Sequence, residues 1–436
     1  MKTNHIDTKT AWLGEFPSHW QTLRIKNLFQ EVDDRSETGE EELLSVSYHT
    51  GVYLKKESLN SEDDHLTNAA TLIGYKKVAK GNLIINIMGA WNGRLGISDY
   101  DGVTSPAYCV YRIKGKQNPK YFGYLFRTTL FVSEFLKYSA GIGTGYLRLY
   151  SDKFFSIFSP VPPIEDQNKI VQYIKSKEEK INHFIQQKQQ LIELLKEQRQ
   201  SVINEAVTKG INPKAKMKAS GIEWLGDIPE HWEVRRLRFL AKVNSIENNY
   251  VFATDSDSKV VFLPMEKVTE LGSIDNSCKL PIKEISKGYT YFEKDDIVVA
   301  KITPCFENGK GALLNNLETY FGFGTTEFHT LRCSNLVSKE FIYLVTTSFS
   351  FRKLGISSMT GAAGQQRVPA TFIKNFFVVY PSLTEQQQIV NHIKTETATI
   401  DITIAKAEKE IELIKEYKEA MIAEAVMGKI NVELFI

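Results

Sequence analysis

Two long stretches, residues 165–208 and 384–427, contain no proline or glycine and carry apolar residues at alternating steps of four and three. The first series is Ile170, Ile174, Lys177, Ile181, Phe184, Lys188, Leu191, Leu195, Gln198 and Val202; the second is Ile389, Ile393, Glu396, Ile400, Thr403, Ala407, Glu410, Ile414, Tyr417 and Met421. A mean spacing of 3.5 residues predicts two long helices that form a coiled coil. The pattern also leaves open two unrelated amphipathic helices in a larger core.

The segments outside these helices have a different pattern. Short runs rich in Val, Ile, Phe and Tyr are broken by Gly, Asn and Asp, which predicts strands. The predicted strands include Leu83–Ile87, Tyr108–Ile113, Ile297–Ala300 and Phe376–Tyr380, and helices are expected in Lys120–Tyr138 and Lys339–Leu354. This combination predicts α+β domains with a β-rich core.

An internal repeat organises the chain. The segment from Trp12 to Trp20 returns as Trp224 to Trp232, an offset of 212, and Gln167–Val171 returns as Gln386–Val390, an offset of 219. The copies share their ends and differ in their middles. The repeat predicts a pseudo-two-fold arrangement in which the two long helices form an antiparallel coiled coil. The expected domains are 1–160, the central helix 161–212, 213–380 and the C-terminal helix 381–436.

The net charge of +2 conceals an uneven distribution. Residues 1–75 have a net charge of −6, whereas residues 76–160 contain 12 basic and 4 acidic residues. Residues 294–380 have a net charge of +3 and residues 381–436 one of −4. Two separate basic stretches are typical of a protein that binds a polyanion at two places.

Several classes of chemistry are not indicated. No glycine-lysine pair is followed by the Ser or Thr of a phosphate-binding loop, and the four cysteines lack zinc spacing. We therefore predict no catalytic residue, no metal ligand and no cofactor in this chain. The first residues lack the apolar core of a secretion signal, and no apolar run is long enough to span a membrane, so a cytoplasmic protein is expected.

Aligning the two halves identifies candidate DNA contacts. Turn amides and the cation that follows can bind phosphate, while Arg and Gln side chains suit guanine and adenine edges. The candidates are Asn92, Arg94, Tyr146 and Arg148 in the first half, and Asn308, Lys310, Gln365, Gln366 and Arg367 in the second. Lys76, Lys77, Lys80 and Lys301 are candidate phosphate contacts. The alternative is that these turns are hairpin connections with solvated cations.

The repeated motif suggests a shared partner. A constant frame around variable middles is expected when the frame docks something common to both halves. We therefore predict that Trp12, Trp20, Trp224 and Trp232 bind a partner subunit.

Two variable domains, each opening with W-L-G-x-x-P-x-x-W and each followed by a P-x-x-x-x-Q-x-x-I-V helix, resemble the specificity subunit of type I restriction-modification systems. The resemblance covers essentially the whole chain. Phe323–Arg332 and Gly364–Gln366 are also typical of the family's second domain, whereas Thr104–Tyr108 and Tyr146-Leu147 depart from these patterns in the first.

The resemblance implies that each variable domain is a target-recognition domain that reads one half of a bipartite double-stranded DNA target. It implies helices that set the gap between the half-sites and recruit two methyltransferase subunits, with restriction/translocase subunits in the full complex. The complex is expected to use AdoMet, ATP and Mg for adenine-N6 methylation and ATP-dependent cleavage, none of it within this chain.

The residues also admit other interpretations. The chain could serve a fused nuclease-methyltransferase of another restriction class, whereas a self-sufficient methyltransferase is disfavoured because the catalytic motifs are missing. It could also be a structural adaptor that binds proteins at both ends, which the basic stretch in residues 76–160 disfavours.

Overall fold

The computed structural model describes residues 10–48, 50–55, 71–141, 147–245, 257–362 and 364–435. The chain divides into two compact units: the first combines Met1–Lys188 with Lys409–Ile436, and the second is Gln189–Glu408. Each unit contains one β-rich part and a portion of both long helices. The sequence-based division instead treats each long helix as a separate segment.

The first unit is built on an antiparallel four-stranded sheet of order β2-β9-β6-β7. Its strands are β1 Gln21–Arg24, β2 Phe29–Val32, β3 Leu44–Ser47, β4 Gly51–Leu54, β5 Lys76–Val78, β6 Leu83–Asn86, β7 Leu95–Ile97, β8 Gly102–Thr104, β9 Tyr108–Ile113 and β10 Phe158–Val161. Its helices are α1 Ile25–Leu28, α2 Pro119–Phe126, α3 Thr129–Tyr138, α4 Ser151–Ser156 and the start of α5 Ile164–Lys209.

The second unit repeats this sheet with the order β14-β21-β18-β19 and adds a second sheet, β16-β15-β20-β17. Its strands are β11 Met217–Ala219, β12 Asp227–Pro229, β13 Glu233–Arg236, β14 Ala241–Val243, β15 Lys259–Leu263, β16 Lys279–Pro281, β17 Thr290–Glu293, β18 Ile297–Ala300, β19 Gly311–Leu313, β20 Phe321–Gly324, β21 Phe328–Cys333 and β22 Phe377–Tyr380. Its helices are α6 Ile282–Ile285, α7 Lys339–Thr347, α8 Phe349–Ser357, α9 Ala370–Asn375 and the start of α10 Leu383–Val426.

The equivalent elements confirm the repeat. β1 pairs with β10 in the first unit and β13 with β22 in the second, so in each unit a strand after the tryptophan motif meets the strand before the long helix. The predicted helix Lys120–Tyr138 is divided at Thr128, whose side chain accepts from the Phe131 amide and caps α3. Ser348 divides the second copy in the same way. The core of the first unit is aromatic, with Phe29, Phe122, Phe126, Phe131, Phe135 and Phe154 fully buried.

Helices α5 and α10 run antiparallel within each unit. In the first unit Lys418 pairs with Glu178 at 3.1 Å and Lys188 with Glu410 at 2.5 Å. In the second, Arg199 pairs with Asp401 at 2.8 Å. Among the described residues, no helix carries an apolar run long enough to cross a membrane.

Half of the predicted seam is displaced by one residue. Ile174, Ile181, Ile393, Ile400 and Ala407 are buried as expected. Between them the buried positions include Ile192, Thr397 and Ile404, where the pattern predicted Leu191, Glu396 and Thr403. From Ile393 and from Ile400, the next buried residue of the seam therefore lies four residues further on instead of the predicted three. Leu191, a predicted seam residue, is 37% exposed. Polar Thr397, at 5% exposure, occupies a seam position that apolar periodicity cannot identify.

Candidate nucleic-acid interface

The connections that follow the central strands of the first unit meet at one edge of its sheet. Strand β6 ends at Asn86, opposite Tyr108 at the start of β9, so the 87–94 connection and the 105–107 turn leave the sheet together. The Leu149 amide donates to the Ile87 carbonyl at 2.9 Å and brings residues 139–141 and 147–149 to the same place. We call these three segments the first edge; residues 142–146 lie outside the described part.

The second unit has an equivalent edge. Strand β18 ends at Ala300, opposite Phe328 at the start of β21, and the Val368 amide donates to the Lys301 carbonyl at 2.8 Å. The second edge therefore consists of residues 301–310, 325–327 and 358–368, with 363 outside the described residues. The Thr303 amide donates to the Gln366 carbonyl at 3.0 Å and joins two of the three segments.

The first edge brings together three of the predicted contacts, Asn92, Arg94 and Arg148. Arg148 is exposed, and its backbone is paired with Ala140 by hydrogen bonds of 2.9 and 3.0 Å at the base of the loop. Arg94 is half-buried because its side chain lies against Gly89. Tyr146 lies outside the described residues.

The three lysines of the β5 region are not equivalent. Lys76 lies opposite Thr104, just before the 105–107 turn, but it is buried, with its amino group 3.5 Å from Asp33. Lys77 and Lys80 are exposed. Lys80 lies at the other end of the β5–β8 pair, where its amide donates to Asp101 at 2.8 Å. Burial therefore gives Lys76 less access to phosphate than its neighbours have.

The second edge brings together all six of its predicted contacts. They are Lys301, Asn308, Lys310, Gln365, Gln366 and Arg367. Asn308 and Gln365 are exposed, whereas the other four are half-buried. The Lys310 amino group donates to the Met265 carbonyl at 3.4 Å.

Arg148 and Arg367 occupy the same backbone position but have different surroundings. Arg367 pairs with Thr360 by hydrogen bonds of 2.9 and 3.0 Å, as Arg148 pairs with Ala140. Its guanidinium also donates to both carboxylate oxygens of Glu327, at 2.8 to 3.2 Å. The pairing with Arg367 lowers the pKa of Glu327. In the first unit Ala107 stands in the place of Glu327, so the Arg148 side chain has no hydrogen-bond or ion-pair partner among the described residues.

The prediction that the turn amides bind phosphate is wrong. The amides of Asn308, Gly309 and Lys310 donate to carbonyls within their own turn at 2.9 Å. The Asn92, Gly93 and Arg94 amides do the same at 3.0 to 3.1 Å. Since each amide has one proton, these amides are already hydrogen-bonded within their own turns and are not available to a phosphate. The side chains of these residues stay candidate DNA contacts.

His329 joins strand β21 to the second edge in its neutral form. The ring Nε2 donates to the Val368 carbonyl at 2.8 Å, and Nδ1 accepts from the Asn244 side-chain amide at 3.0 Å. Burial lowers the pKa of this histidine, with smaller opposing effects from the hydrogen bond to Val368 and from Glu327, while Lys301 and Lys374 lower it further.

We expect acid to destabilise the second unit through His329. Above about pH 6.5 the ring is neutral in both the folded and the unfolded chain. Below that pH the unfolded chain binds a proton at this histidine, whereas the folded chain does not because its pKa is lower. The free energy of unfolding therefore falls as pH decreases from 6.5, by at most about 1.4 kcal/mol per pH unit from this group. Urea unfolding between pH 7.5 and 5.5 should show a steeper loss for the native chain than for His329→Gln. Equal pH dependence would refute this assignment.

The tryptophan motif lies where the ends of the two long helices meet in each unit. Gly428, at the end of α10, packs against Trp20, and Gly210, at the end of α5, against Trp232. His19 pairs with Asp166 at 2.9 Å, and His231 with Glu385 at 3.0 Å, in the first turns of α5 and α10. The motif thus holds the start of one long helix and the end of the other.

This location corrects the predicted partner contacts. Trp232 is fully buried and Trp20 is 7% exposed, so both rings belong to the core of their own unit rather than to a surface that another subunit can touch. Trp12 and Trp224 are half-buried and pack against Phe131 and Phe376. For these two, partner binding stays a prediction.

Two buried glutamines, Gln167 and Gln386, stabilise the starts of the long helices. Gln167 donates to the Pro162 carbonyl at 2.8 Å and accepts from the Asn118 amide at 2.8 Å. Gln386 donates to Pro381 at 2.9 Å and accepts from the Ser338 amide at 2.8 Å. Each glutamine thereby ties the start of a long helix to the residue that caps α2 or α7. The sequence signal for this role is that Gln167 and Gln386 occupy the same position in the two copies of the repeat.

No group of three or more His, Cys, Asp or Glu residues is placed to hold a metal ion in the described parts of the chain. The edges instead present amide and cationic side chains. Such groups bind phosphates and base edges through hydrogen bonds and charge.

Comparisons with known proteins agree with this geometry. The chain is 38% identical over 168 residues to the type I restriction enzyme EcoAI specificity subunit of Escherichia coli, covering 38% of this chain and 28% of that protein. It is 37% identical over 192 residues to the EcoEI specificity subunit of the same organism, covering 43% and 31%. The matches thus span about three-tenths of the length of these two relatives. The MjaVIII specificity subunit of Methanocaldococcus jannaschii is 24% identical over 318 residues, covering 71% of this chain and 70% of that protein.

A solved structure described as the structural basis of complex assembly and conformational transition of the type I R-M system matches with a TM-score of 0.65. It covers 95% of this chain and 100% of its own at 14% identity, which supports the fold. The family model of the type I restriction modification DNA specificity domain matches residues 17–194 and 229–413, once in each half of the repeat. The chain therefore belongs to the type I restriction modification DNA specificity domain family.

Proposed function

We propose that this chain is the sequence-specific DNA-recognition subunit of a type I restriction-modification complex, with each unit reading one half of a bipartite double-stranded target. The observation that carries the proposal is the duplicated edge. Both units place an arginine at the same backbone position beside a glycine turn followed by a cation, on equivalent sheets. The surrounding side chains differ, as expected of two readers with different half-sites.

The proposed partners supply the chemistry. Two methyltransferase subunits would hold AdoMet and methylate adenine N6, and restriction/translocase subunits would use ATP and Mg for cleavage. We propose no catalytic role for this chain, which would act with them in the cytoplasm. The family membership and the names of the relatives support this assignment.

Single-molecule methylation mapping of host DNA tests the function. The host is compared with a strain in which this gene is deleted. We expect one bipartite motif, two short half-sites around a fixed gap, to lose its methylation. An unchanged pattern in a host whose partner methyltransferase is expressed would refute the proposal.

We expect Arg148→Ala to weaken binding to the first half-site by about 1–3 kcal/mol if the side chain reads guanine. The side chain is exposed and has no partner among the described residues, so its removal should leave folding intact. Lys116→Ala is the matched control, since exposed Lys116 follows β9 at the opposite end of that strand from the first edge. Affinity is measured on duplexes altered in either half-site. An equal loss for every sequence would indicate a phosphate contact.

We propose that the coiled coil sets the gap between the half-sites. Seven residues inserted after Lys188 and seven after Glu408 would lengthen both helices at the positions where the units divide. This adds about 10 Å, or roughly 3 bp of duplex, to the tolerated gap. Binding-site selection should return the same half-sites with a longer gap. Selection of new half-site bases would contradict the proposed role.

A further inference from the structure

A partly buried arginine lies beneath the 308–310 turn of the second edge. Arg352 of α8 donates from Nη2 to the Gly309 carbonyl at 3.3 Å. A Cβ added to Gly309 would lie 1.7 Å from the Arg352 Cζ, so the guanidinium occupies the space that any side chain at this glycine would need. Gly309 also has a φ of 75°, which other residues rarely adopt.

The Arg352 guanidinium is not paired with a carboxylate in the described part of the chain. Among the described residues it forms no ion pair within 4.0 Å, and its buried Nε has no hydrogen-bond partner. Burial lowers the pKa of Arg352, the sign of a cation held in a poorly solvated place. Retaining such a group costs stability, and here its Nη2 donates to the Gly309 carbonyl of the adjacent turn.

The first unit supports its own edge differently. Val132 stands at the position of Arg352, 3.7 Å from a Cβ added to Gly93. Tyr48 packs against the same glycine, at 3.3 Å, and the Tyr48 carbonyl accepts from Arg127 at the end of α2. Burial also lowers the pKa of Arg127. The 92–94 turn is thus backed by Val132 and by Tyr48, whose carbonyl accepts from half-buried Arg127, whereas half-buried Arg352 backs the 308–310 turn directly.

We propose that Arg352 is a positioning residue for DNA binding by the second unit. It holds the 308–310 turn so that the Lys310 side chain reaches a phosphate, without itself contacting DNA. The inference rests on the proposed function. Arg352 would thus support the 308–310 turn of the second edge independently of Arg367 and of the side chains that read bases.

The test is a double-mutant cycle on the full chain with Arg352→Met, Lys310→Met and their combination. The probes are a duplex carrying the mapped bipartite target and a mixed-sequence duplex of equal length. Each single variant should reduce the slope of log affinity against log salt by about 0.9, the value for one phosphate contact. The combination should also reduce it by about 0.9 and not by twice that amount, because Arg352 acts through Lys310. Additive slopes would overturn the inference.

Lys353→Met is the matched control. Lys353 is exposed on the same helix, with its amino group 5.6 Å from the Phe349 ring centroid, and its removal makes the same change in charge. We expect its slope and affinity to match the native chain. If Lys353→Met lowers the slope as much as Arg352→Met, the effect is general charge loss and the positioning role is refuted.

Hydrogen exchange gives a readout without DNA. The amides of Asn308, Gly309 and Lys310 are protected by bonds within the turn, and Arg352→Met should accelerate their exchange about tenfold while α7 stays protected. Unchanged exchange would overturn the inference whatever the DNA result. If the native chain prefers neither duplex while Arg352→Met still loosens the turn, the DNA-reading function fails and the support of the turn by Arg352 stands.

Discussion

Alanine in place of Gly428 should destabilise the first unit by about 2–5 kcal/mol. Gly428 has a φ of 67°, a left-handed conformation that costs other residues roughly 1–2 kcal/mol. The added Cβ would also lie 2.6 Å from Pro17 and 2.8 Å from Trp20. Since Trp20 is buried and cannot move aside freely, overpacking adds about 1–3 kcal/mol.

Gly115→Ala is the control for the backbone contribution. Gly115 belongs to the same unit and has the same φ of 67°, but a Cβ there meets nothing within 4 Å. We expect it to cost only the roughly 1–2 kcal/mol of the backbone conformation. The free energy of unfolding of both variants is measured in urea, with hydrogen exchange of the α2 amides as the probe of the first unit. Equal losses would show that the contact with Trp20 contributes nothing.

Replacing Gln386 with leucine should destabilise the second unit by roughly 2–6 kcal/mol. The side chain is fully buried and satisfies the Pro381 carbonyl and the Ser338 amide. Leucine has a similar size but leaves both backbone groups without a partner, at about 1–3 kcal/mol for each. Since Ser338 caps α7, we also expect faster hydrogen exchange in the first turn of that helix.

Gln387→Leu provides the comparison at the next position. Gln387 is exposed and, among the described residues, its side chain bonds only to Asn391 one turn along the helix, so its loss should change stability by less than about 0.5 kcal/mol. Gln167→Leu should reproduce the Gln386 effect in the first unit, because the same two bonds recur there. The proposed role is wrong if Gln386→Leu unfolds at the same urea concentration as Gln387→Leu.

Local signals predicted much of the fold. The long helices were expected at 165–208 and 384–427 and occur at Ile164–Lys209 and Leu383–Val426, because the absence of proline and glycine and the apolar spacing act within a few turns. Strands Tyr108–Ile113 and Ile297–Ala300 occur as predicted. The seam was only half right, since polar Thr397 is buried where a hydrophobic pattern has no signal.

The candidate interface was less predictable. Alignment of the repeat correctly placed Arg148 and Arg367 at equivalent positions, because backbone position follows the shared fold. It could not reveal that Glu327, 40 residues away in sequence, already holds Arg367. The turn amides were misassigned because the sequence identifies a turn without showing which carbonyls its amides reach.

Repeats, periodicity and motifs are properties of the chain, so the duplicated architecture, the two long helices and the family follow from the residue pattern. Which side chains are available to a ligand was set by tertiary packing. It buried Trp20 and Trp232 behind the helix ends and placed Arg352 beneath Gly309, 43 residues away. The physical reason is that burial and charge pairing depend on contacts between distant segments, which only the packed chain brings within reach.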